Sequence, residues 1–141
     1  MSFIKSMMEK EPPEPENPLG VVVIGNIEPD MHDTAKEAVR KSLKRAGFKT
    51  IDAGKSAPPQ VFVDKAKENK ADIIALSINT VPAKNNLAKL DEALKAAGLK
   101  DKIGIIMGGA AVKKEDADAF GALFGKNKEE APELAKKALK K

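Results

Sequence analysis

The stretch 30–33 gathers the side chains best suited to hold a metal ion. It contains His32, the single histidine in 141 residues, and Asp30 lies two positions before it. At this spacing the Asp30 carboxylate can accept the imidazole N–H, which fixes the tautomer and makes the other ring nitrogen a better metal donor. Asp33 follows directly, and it is also a candidate N-cap for the helix expected after it.

The chain lacks the ligands for a bare protein-bound metal ion such as zinc. Zinc sites need three or four protein ligands, and one histidine with no cysteine cannot complete that set. A metal already carried in a macrocycle needs only one ligand from the protein. The residues therefore favour a metal within an organic cofactor, with His32 as its candidate ligand.

Short apolar runs alternate with longer segments of helical period from residue 19 onward, which predicts βα units around a parallel sheet. Strands are predicted over residues 21–26, 49–52, 72–78 and 103–107, with a short one near Leu123, and helices over residues 33–46, 59–69, 83–97, 114–120 and 128–140. This alternation fits a flavodoxin-like, Rossmann-like α/β fold with strand order 2-1-3-4-5 and helices on both faces. Residues 1–18, rich in proline and glutamate, are predicted to be a flexible segment before a domain over residues 19–141.

In this strand order, ligands bind beyond the carboxyl ends of the strands, between the first and third. The loops there contain residues 30–33 after the first strand, Asn79 after the third and Gly108 with Gly109 after the fourth. No Gly-x-Gly-x-x-Gly and no Walker motif follows the first strand, so dinucleotide binding and phosphoryl transfer lose their main support.

Composition narrows the possible partners. The formal charge of +4 comes from 25 basic against 21 acidic residues, and many of the lysines lie about four residues from an acidic residue on predicted helices. The chain has five Phe but no Trp or Tyr. Such a surface does not favour nucleic-acid binding. No apolar run is long enough to cross a bilayer and no signal peptide is visible, so we expect a cytoplasmic protein without a membrane partner.

Three motifs resemble those of cobalamin-binding domains. The run Asp30-Met31-His32-Asp33-Thr34-Ala35 resembles the Asp-x-His-x-x-Gly signature of that family. Residues 71–77 resemble its third strand, which ends in Ser-x-Leu, and residues 107–112 resemble its Gly-Gly turn. The resemblance covers residues 19–141.

The family resemblance implies that a cobalamin or related corrinoid binds with its dimethylbenzimidazole tail swung away and threaded between the first and third strands. His32 would be the lower axial ligand of cobalt, with Asp30 hydrogen-bonded behind it, and Ser77 would face the tail base. Gly108 and Gly109 would let the backbone pass close to the tail or ring, or would simply end a strand. The implied cofactor-binding residues are Asp30, Met31, His32, Asp33, Ala35, Ser77, Asn79, Gly108 and Gly109.

Two residues depart from the family pattern. Ala35 replaces the glycine of the first motif, and Asn79 replaces the leucine of Ser-x-Leu, where a buried amide without a partner would be costly. These changes predict a different lower base, weaker binding or a relative that has lost the cofactor. Retained binding is favoured because Asp30 and His32 occur together.

The favoured function is a corrinoid carrier that passes a methyl group between partner methyltransferases. The alternatives are a small cobalamin-binding subunit of a carbon-skeleton mutase and a flavodoxin-fold interaction module without cofactor. The mutase alternative arises because family carriers usually have a helical cap domain, which residues 1–18 cannot supply. No Ser-His-Asp set is visible, so we expect no catalysis by the chain alone. A methyltransferase or other corrinoid-dependent enzyme subunit would supply the substrate site and the upper-face cap.

Overall fold

The computed structural model describes residues 11–139. Its five-stranded parallel sheet has the order β2-β1-β3-β4-β5, which confirms the predicted topology. The strands are β1 Val21–Ile27, β2 Lys49–Ala57, β3 Ile73–Ser77, β4 Gly104–Gly108 and β5 Leu123–Phe124. The helices are α1 Asp33–Arg45, α2 Pro59–Asn69, α3 Val81–Asn85, α4 Leu87–Ala96, α5 Lys114–Phe120 and α6 Ala131–Leu139, with a 3-10 turn at Lys128–Glu130.

Helices cover both faces of the sheet, as predicted. Val23 and Ile27 of β1 belong to a core that includes side chains of α2, α4 and α5. Val22 and Ile24 belong to a second core on the other face, with side chains of α1 and α6. Because successive strand residues point to opposite faces and both faces are buried, β1 is an almost continuous apolar run.

Strand β2 is longer than predicted. It continues beyond residue 52 to Ala57, and its pairing with β1 shifts register twice. Gly54 and Ser56 have positive φ angles of 97° and 51°, so this part of the strand is bulged. Residues 53–57 carry no β-branched or aromatic side chain, and their extended form comes from pairing with the end of β1.

The predicted third and last helices also differ from the structure. The third is two helices, α3 and α4, separated at Asn86, and it begins earlier because the Thr80 hydroxyl accepts a hydrogen bond from the Ala83 amide (3.4 Å). The last begins as a 3-10 turn, where the Asn127 side chain accepts from the Glu130 amide (3.1 Å), and becomes α-helical only at Ala131. Side-chain caps thus account for the early start of α3 and for the 3-10 turn before α6.

The acidic strap, residues 11–14, is tied to α1 by ion pairs. The Glu11 carboxylate accepts hydrogen bonds from both terminal nitrogens of Arg40 (2.6 and 2.7 Å) and from Lys44 Nζ (2.7 Å). Glu14 pairs with the same lysine (2.9 Å), and Pro12 is buried. Hydrogen bonds from Arg40 and then Lys44 lower the pKa of Glu11 to about 2. Part of the segment predicted to be flexible, residues 1–10, lies outside the described residues.

We expect the double substitution Arg40→Gln and Lys44→Gln to release the acidic strap, because it removes the cationic partners of Glu11 and Glu14. NMR relaxation of the Glu11 and Glu14 backbone amides should then report fast motion, while the midpoint of unfolding changes little. In the wild type, the Glu11 pKa is lowered by folding, so the contact is fully present above pH 4.5 and is lost as the pH falls towards 2. A strap that stays rigid in the double variant would contradict this role for the ion pairs.

Candidate cofactor-binding cleft

A cleft of about 700 Å³ opens at the carboxyl ends of β1, β3 and β4. This is the switch point predicted from the strand order. Its floor is apolar and includes Ile24, Ala75 and Ile106 of the sheet, and Val39 of α1 and Leu134 of α6 also line it. We define the mouth of the cleft by six lining residues from the strand-end loops and the start of α1, which are His32, Ala35, Ser77, Asn79, Gly108 and Gly109.

His32 is held at the start of α1 with most of its side chain exposed (68%). Its Nδ1 lies 2.8 Å from Oδ1 of Asp30, so the contact predicted from the two-residue spacing is present. The His32 backbone amide donates to the same oxygen (2.9 Å), and its carbonyl accepts from Nδ2 of Asn26 (3.1 Å). Within residues 11–139, Nε2 makes no hydrogen bond, which leaves this nitrogen available to a metal.

Asp30 is a fully buried carboxylate that receives four hydrogen bonds. Oδ1 accepts from the backbone amide and Nδ1 of His32. Oδ2 accepts from the backbone amide (2.6 Å) and Nδ2 (3.0 Å) of Asn79. Burial raises the pKa of Asp30, but the hydrogen bonds from His32 and Asn79 outweigh burial, and the net pKa lies below its ordinary value. An anionic Asp30 holds the imidazole proton on Nδ1 and keeps a lone pair on Nε2.

The loop that contains Asp30 is anchored from two sides. The bulged part of β2 contacts it through the Ser56 amide, which donates to the Asp30 carbonyl (2.8 Å), and through the Ala57 carbonyl, which accepts from the Glu28 amide (2.9 Å). Asn86, between α3 and α4, donates to the Glu28 carbonyl (2.6 Å). The two departures from the predicted elements, in β2 and at Asn86, therefore both support the His32 loop.

Asn79 does not carry the unpaired amide that its replacement of a leucine predicts. Its Nδ2 donates to Asp30 and to Oγ of Ser77 (3.2 Å), and its Oδ1 accepts from the Ala110 amide (3.1 Å). All the polar groups of this amide are thus paired, and the expected cost is absent. Because Oγ of Ser77 already accepts one bond, its O–H remains available to donate into the cleft.

Gly108 and Gly109 line the mouth, but the chain itself explains why they are glycines. A Cβ on Gly108 would lie 2.6 Å from the carbonyl oxygen of Gly125. Gly109 has φ +123°, and a Cβ there would collide with the carbonyl of Ile78. The close approach of the backbone at Gly125 therefore requires Gly108, and the turn after β4 requires Gly109, without any contribution from a cofactor.

Three residues near His32 take different positions. Ala35 is exposed and lines the mouth, whereas Met31 (55% exposed) and Asp33 lie outside the lining of the cleft. The alternative role of Asp33 as N-cap is wrong, because His32 occupies that position and Asp33 is the first helical residue. There its carboxylate still interacts favourably with the helix dipole.

Several residues that line the cleft or hold the His32 loop were not predicted from the sequence. Val39 and Leu134 belong to the apolar faces of helices, where nothing distinguishes a cleft wall from an ordinary core residue. Asn26, fully buried at the end of β1, has an Oδ1 without a partner in the described part of the chain. A polar residue that ends an apolar strand at the switch point could have signalled a functional position.

Comparison with known proteins decides the family. Residues 20–135 match the B12 binding domain family. The chain belongs to the B12-binding domain family. Among relatives, this B12-binding domain is 43% identical over 128 residues to trimethylamine corrinoid protein 1 of Methanosarcina acetivorans, which covers 90% of the chain but only 59% of the relative. The chain thus spans about three fifths of that relative's length.

Solved structures support the fold of the B12-binding domain. A cobalamin-binding protein from Desulfitobacterium hafniense superposes with a TM-score of 0.80 at 29% identity, over 84% of this chain and 58% of that one. A methanol:cobalamin methyltransferase complex from Methanosarcina barkeri gives 0.80 at 23% identity, over 86% and 46%, and this likeness concerns the fold alone. No helix within residues 11–139 is long and apolar enough to cross a membrane.

A corrinoid, the cofactor of this family, fits the B12-binding domain. The described residues contain no group of three or more His, Cys, Asp or Glu side chains that could hold a metal ion. They do offer one imidazole nitrogen beside a cleft with an apolar floor. This donor set suits a metal that arrives with its other ligands in a macrocycle, and the cleft suits an aromatic appendage of that macrocycle.

Proposed function

We propose that this domain is a carrier that holds a corrinoid with His32 as the lower axial ligand of cobalt and presents it to partner methyltransferases. The observation that carries the proposal is the His32–Asp30 pair at the mouth of the 700 Å³ cleft. The names of relatives, such as trimethylamine corrinoid protein, support methylamines as the source of the methyl group.

The residues of the chain would bind and orient the cofactor. A bound corrinoid supplies a cobalt that accepts and releases a methyl group. His32 would bind through Nε2, while Asp30 keeps the proton on Nδ1 and so raises the basicity of the ring. The apolar floor and walls would take the tail base, and the Ser77 hydroxyl would donate a hydrogen bond to it.

Partners would supply the remaining parts of the reaction. Met31 and Val81 are exposed apolar side chains (55% and 63%); Met31 precedes His32 directly, and Val81 lies two positions after Asn79. Exposed apolar groups beside a cofactor site suit contact with the corrin edge or with a protein partner. We assign the substrate site and the cap over the upper face of the corrin to a methyltransferase subunit or another domain. Ala35 and Asn79 were the two departures that favoured a relative without cofactor. Because the Asn79 amide is fully paired, it no longer favours that alternative.

The first test is electron paramagnetic resonance of ¹⁵N-labelled protein loaded with hydroxocobalamin, desalted and reduced to Co(II). Ligation by His32 should split the cobalt lines into doublets, because ¹⁵N has a nuclear spin of one half. Triplets from the unlabelled tail base, or a protein that retains no corrinoid, would contradict the proposed ligand.

The carrier role needs a separate test. The loaded domain, reduced further to Co(I), should acquire label from [¹⁴C-methyl]trimethylamine in the presence of a trimethylamine methyltransferase, with dimethylamine released, as measured by counting after desalting. If a domain that shows the His32 coupling acquires no ¹⁴C label, the carrier role is overturned and the cofactor assignment remains.

A further inference from the structure

We infer that Asn79 is a positioning residue that acts on His32 through Asp30. The inference rests on the proposed function, in which His32 binds cobalt. Asn79 donates twice to Oδ2 of Asp30, through its backbone amide (2.6 Å) and its side-chain Nδ2 (3.0 Å). The other oxygen of the same carboxylate holds both the backbone and the ring of His32.

The contacts of Asn79 fix the orientation of its amide. Nδ2 faces two acceptors, the Asp30 carboxylate and Oγ of Ser77, while Oδ1 faces the Ala110 N–H. The flipped amide would place its oxygen against the carboxylate and its NH₂ against a donor. The side chain is therefore a directed donor towards Asp30.

Asp30 depends on this donor because it is fully buried. A buried carboxylate needs hydrogen bonds to offset desolvation, and no positively charged side chain forms an ion pair with it in residues 11–139 except His32 when protonated. Without Nδ2, the Oδ2 atom keeps only the backbone donor. We expect the Asp30 carboxylate to be held less firmly and to move. Nδ1 of His32 would then lose the fixed acceptor that orients the ring.

Asn79 also connects three loops at the carboxyl edge of the sheet. It follows β3, it contacts Asp30 in the loop after β1, and it accepts from Ala110 in the loop after β4. One side chain thus fixes the His32 loop relative to the turn that contains Gly109. The orientation of Nε2 of His32 therefore depends on the positions of all three loops.

The test compares Asn79→Asp with Asn69→Asp. Asn79→Asp keeps the shape and the acceptor for Ala110, but it replaces the donor to Asp30 with a carboxylate oxygen. We expect hydroxocobalamin affinity to fall 10- to 100-fold, the range typical of residues behind a metal ligand, with weaker ¹⁵N coupling in the Co(II) spectrum. Asn69→Asp makes the same chemical change in an amide at the end of α2, which donates to the Lys65 carbonyl (2.8 Å) and is absent from the cleft lining, and it should retain the wild-type spectrum. Asn79→Leu should act in the same direction as Asn79→Asp without adding charge.

The outcomes separate this inference from the proposed function. Protein-nitrogen coupling in the wild type together with unchanged coupling and affinity in both Asn79 variants overturns the role of Asn79 alone. Absence of that coupling in the wild type overturns both proposals. If neither variant folds, NMR of the wild type decides, because hydroxocobalamin should shift the Asn79 side-chain amide resonances and slow their exchange with water. Resonances that do not respond would overturn the inference.

Discussion

Replacement of His32 by glutamine is expected to lower corrinoid affinity more than about 100-fold, because removal of a ligand should exceed the effect of removing its supporting residues. The chain contains no second histidine to take its place. Titration followed by the visible spectrum should be performed with both hydroxocobalamin and cobinamide, which lacks the nucleotide tail. Cobinamide retention should vanish, whereas cobalamin should keep residual binding through the cleft.

The matched control for His32 is Asp33→Asn. Asp33 is the adjacent residue, yet it lies outside the cleft lining and makes no side-chain cap for α1. We expect affinities within a few-fold of the wild type. Equal binding of cobinamide by wild type and His32→Gln would show that His32 does not hold the cobalt, and equal binding of cobalamin and cobinamide by the wild type would show that the cleft does not hold the tail.

Gly109→Ala is expected to destabilise the fold by more than about 3 kcal/mol, since strain at a φ reserved for glycine adds to a collision inside a packed turn. Gly109 has φ +123°, and the added Cβ would collide with the Ile78 carbonyl. The turn also presents the Ala110 amide to Asn79, so corrinoid retention should fall even under conditions where the variant is folded. Denaturant unfolding and retention of hydroxocobalamin after desalting measure the two effects.

Gly98→Ala is the control that separates strain from collision. Gly98 also has a positive φ, +72°, but a Cβ there would meet no atom within 4 Å. Its substitution should cost only about 1–2 kcal/mol, the penalty of the left-handed region, and should not affect the cofactor. Similar losses of stability for the two variants would show that the contact with Ile78 is relieved by movement of the turn.

The sequence predicts the parts of this molecule that depend on local pattern. The apolar runs and helical periods determine the sheet order, and the spacing of Asp30 and His32 predicts their contact. These features involve neighbours in the sequence or the general rule that ligands bind at the switch point. The ligation of cobalt by His32 stays a prediction until it is measured.

Long-range pairing explains what the sequence does not predict. Residues 53–57 have weak strand propensity, and they become part of β2 only because the ends of β1 and the Asp30 loop offer hydrogen bonds. The amide of Asn79 finds its partner 49 positions earlier in the chain. The local sequence around Asn79 predicts an unpaired amide, because its acceptor, Asp30, lies in a distant segment of the chain.

The bulges of β2 have a consequence for self-association, since β2 is an edge strand of the sheet. A long, regular edge offers unpaired backbone groups to a second copy of the chain and promotes aggregation. Positive φ at Gly54 and Ser56 interrupts that edge, and the exposed lysines Lys49 and Lys55 add charge along it. At the opposite edge, β5 Leu123–Phe124 is only 2 residues long. The same irregularity that supports the His32 loop therefore also protects the sheet against edge-to-edge pairing.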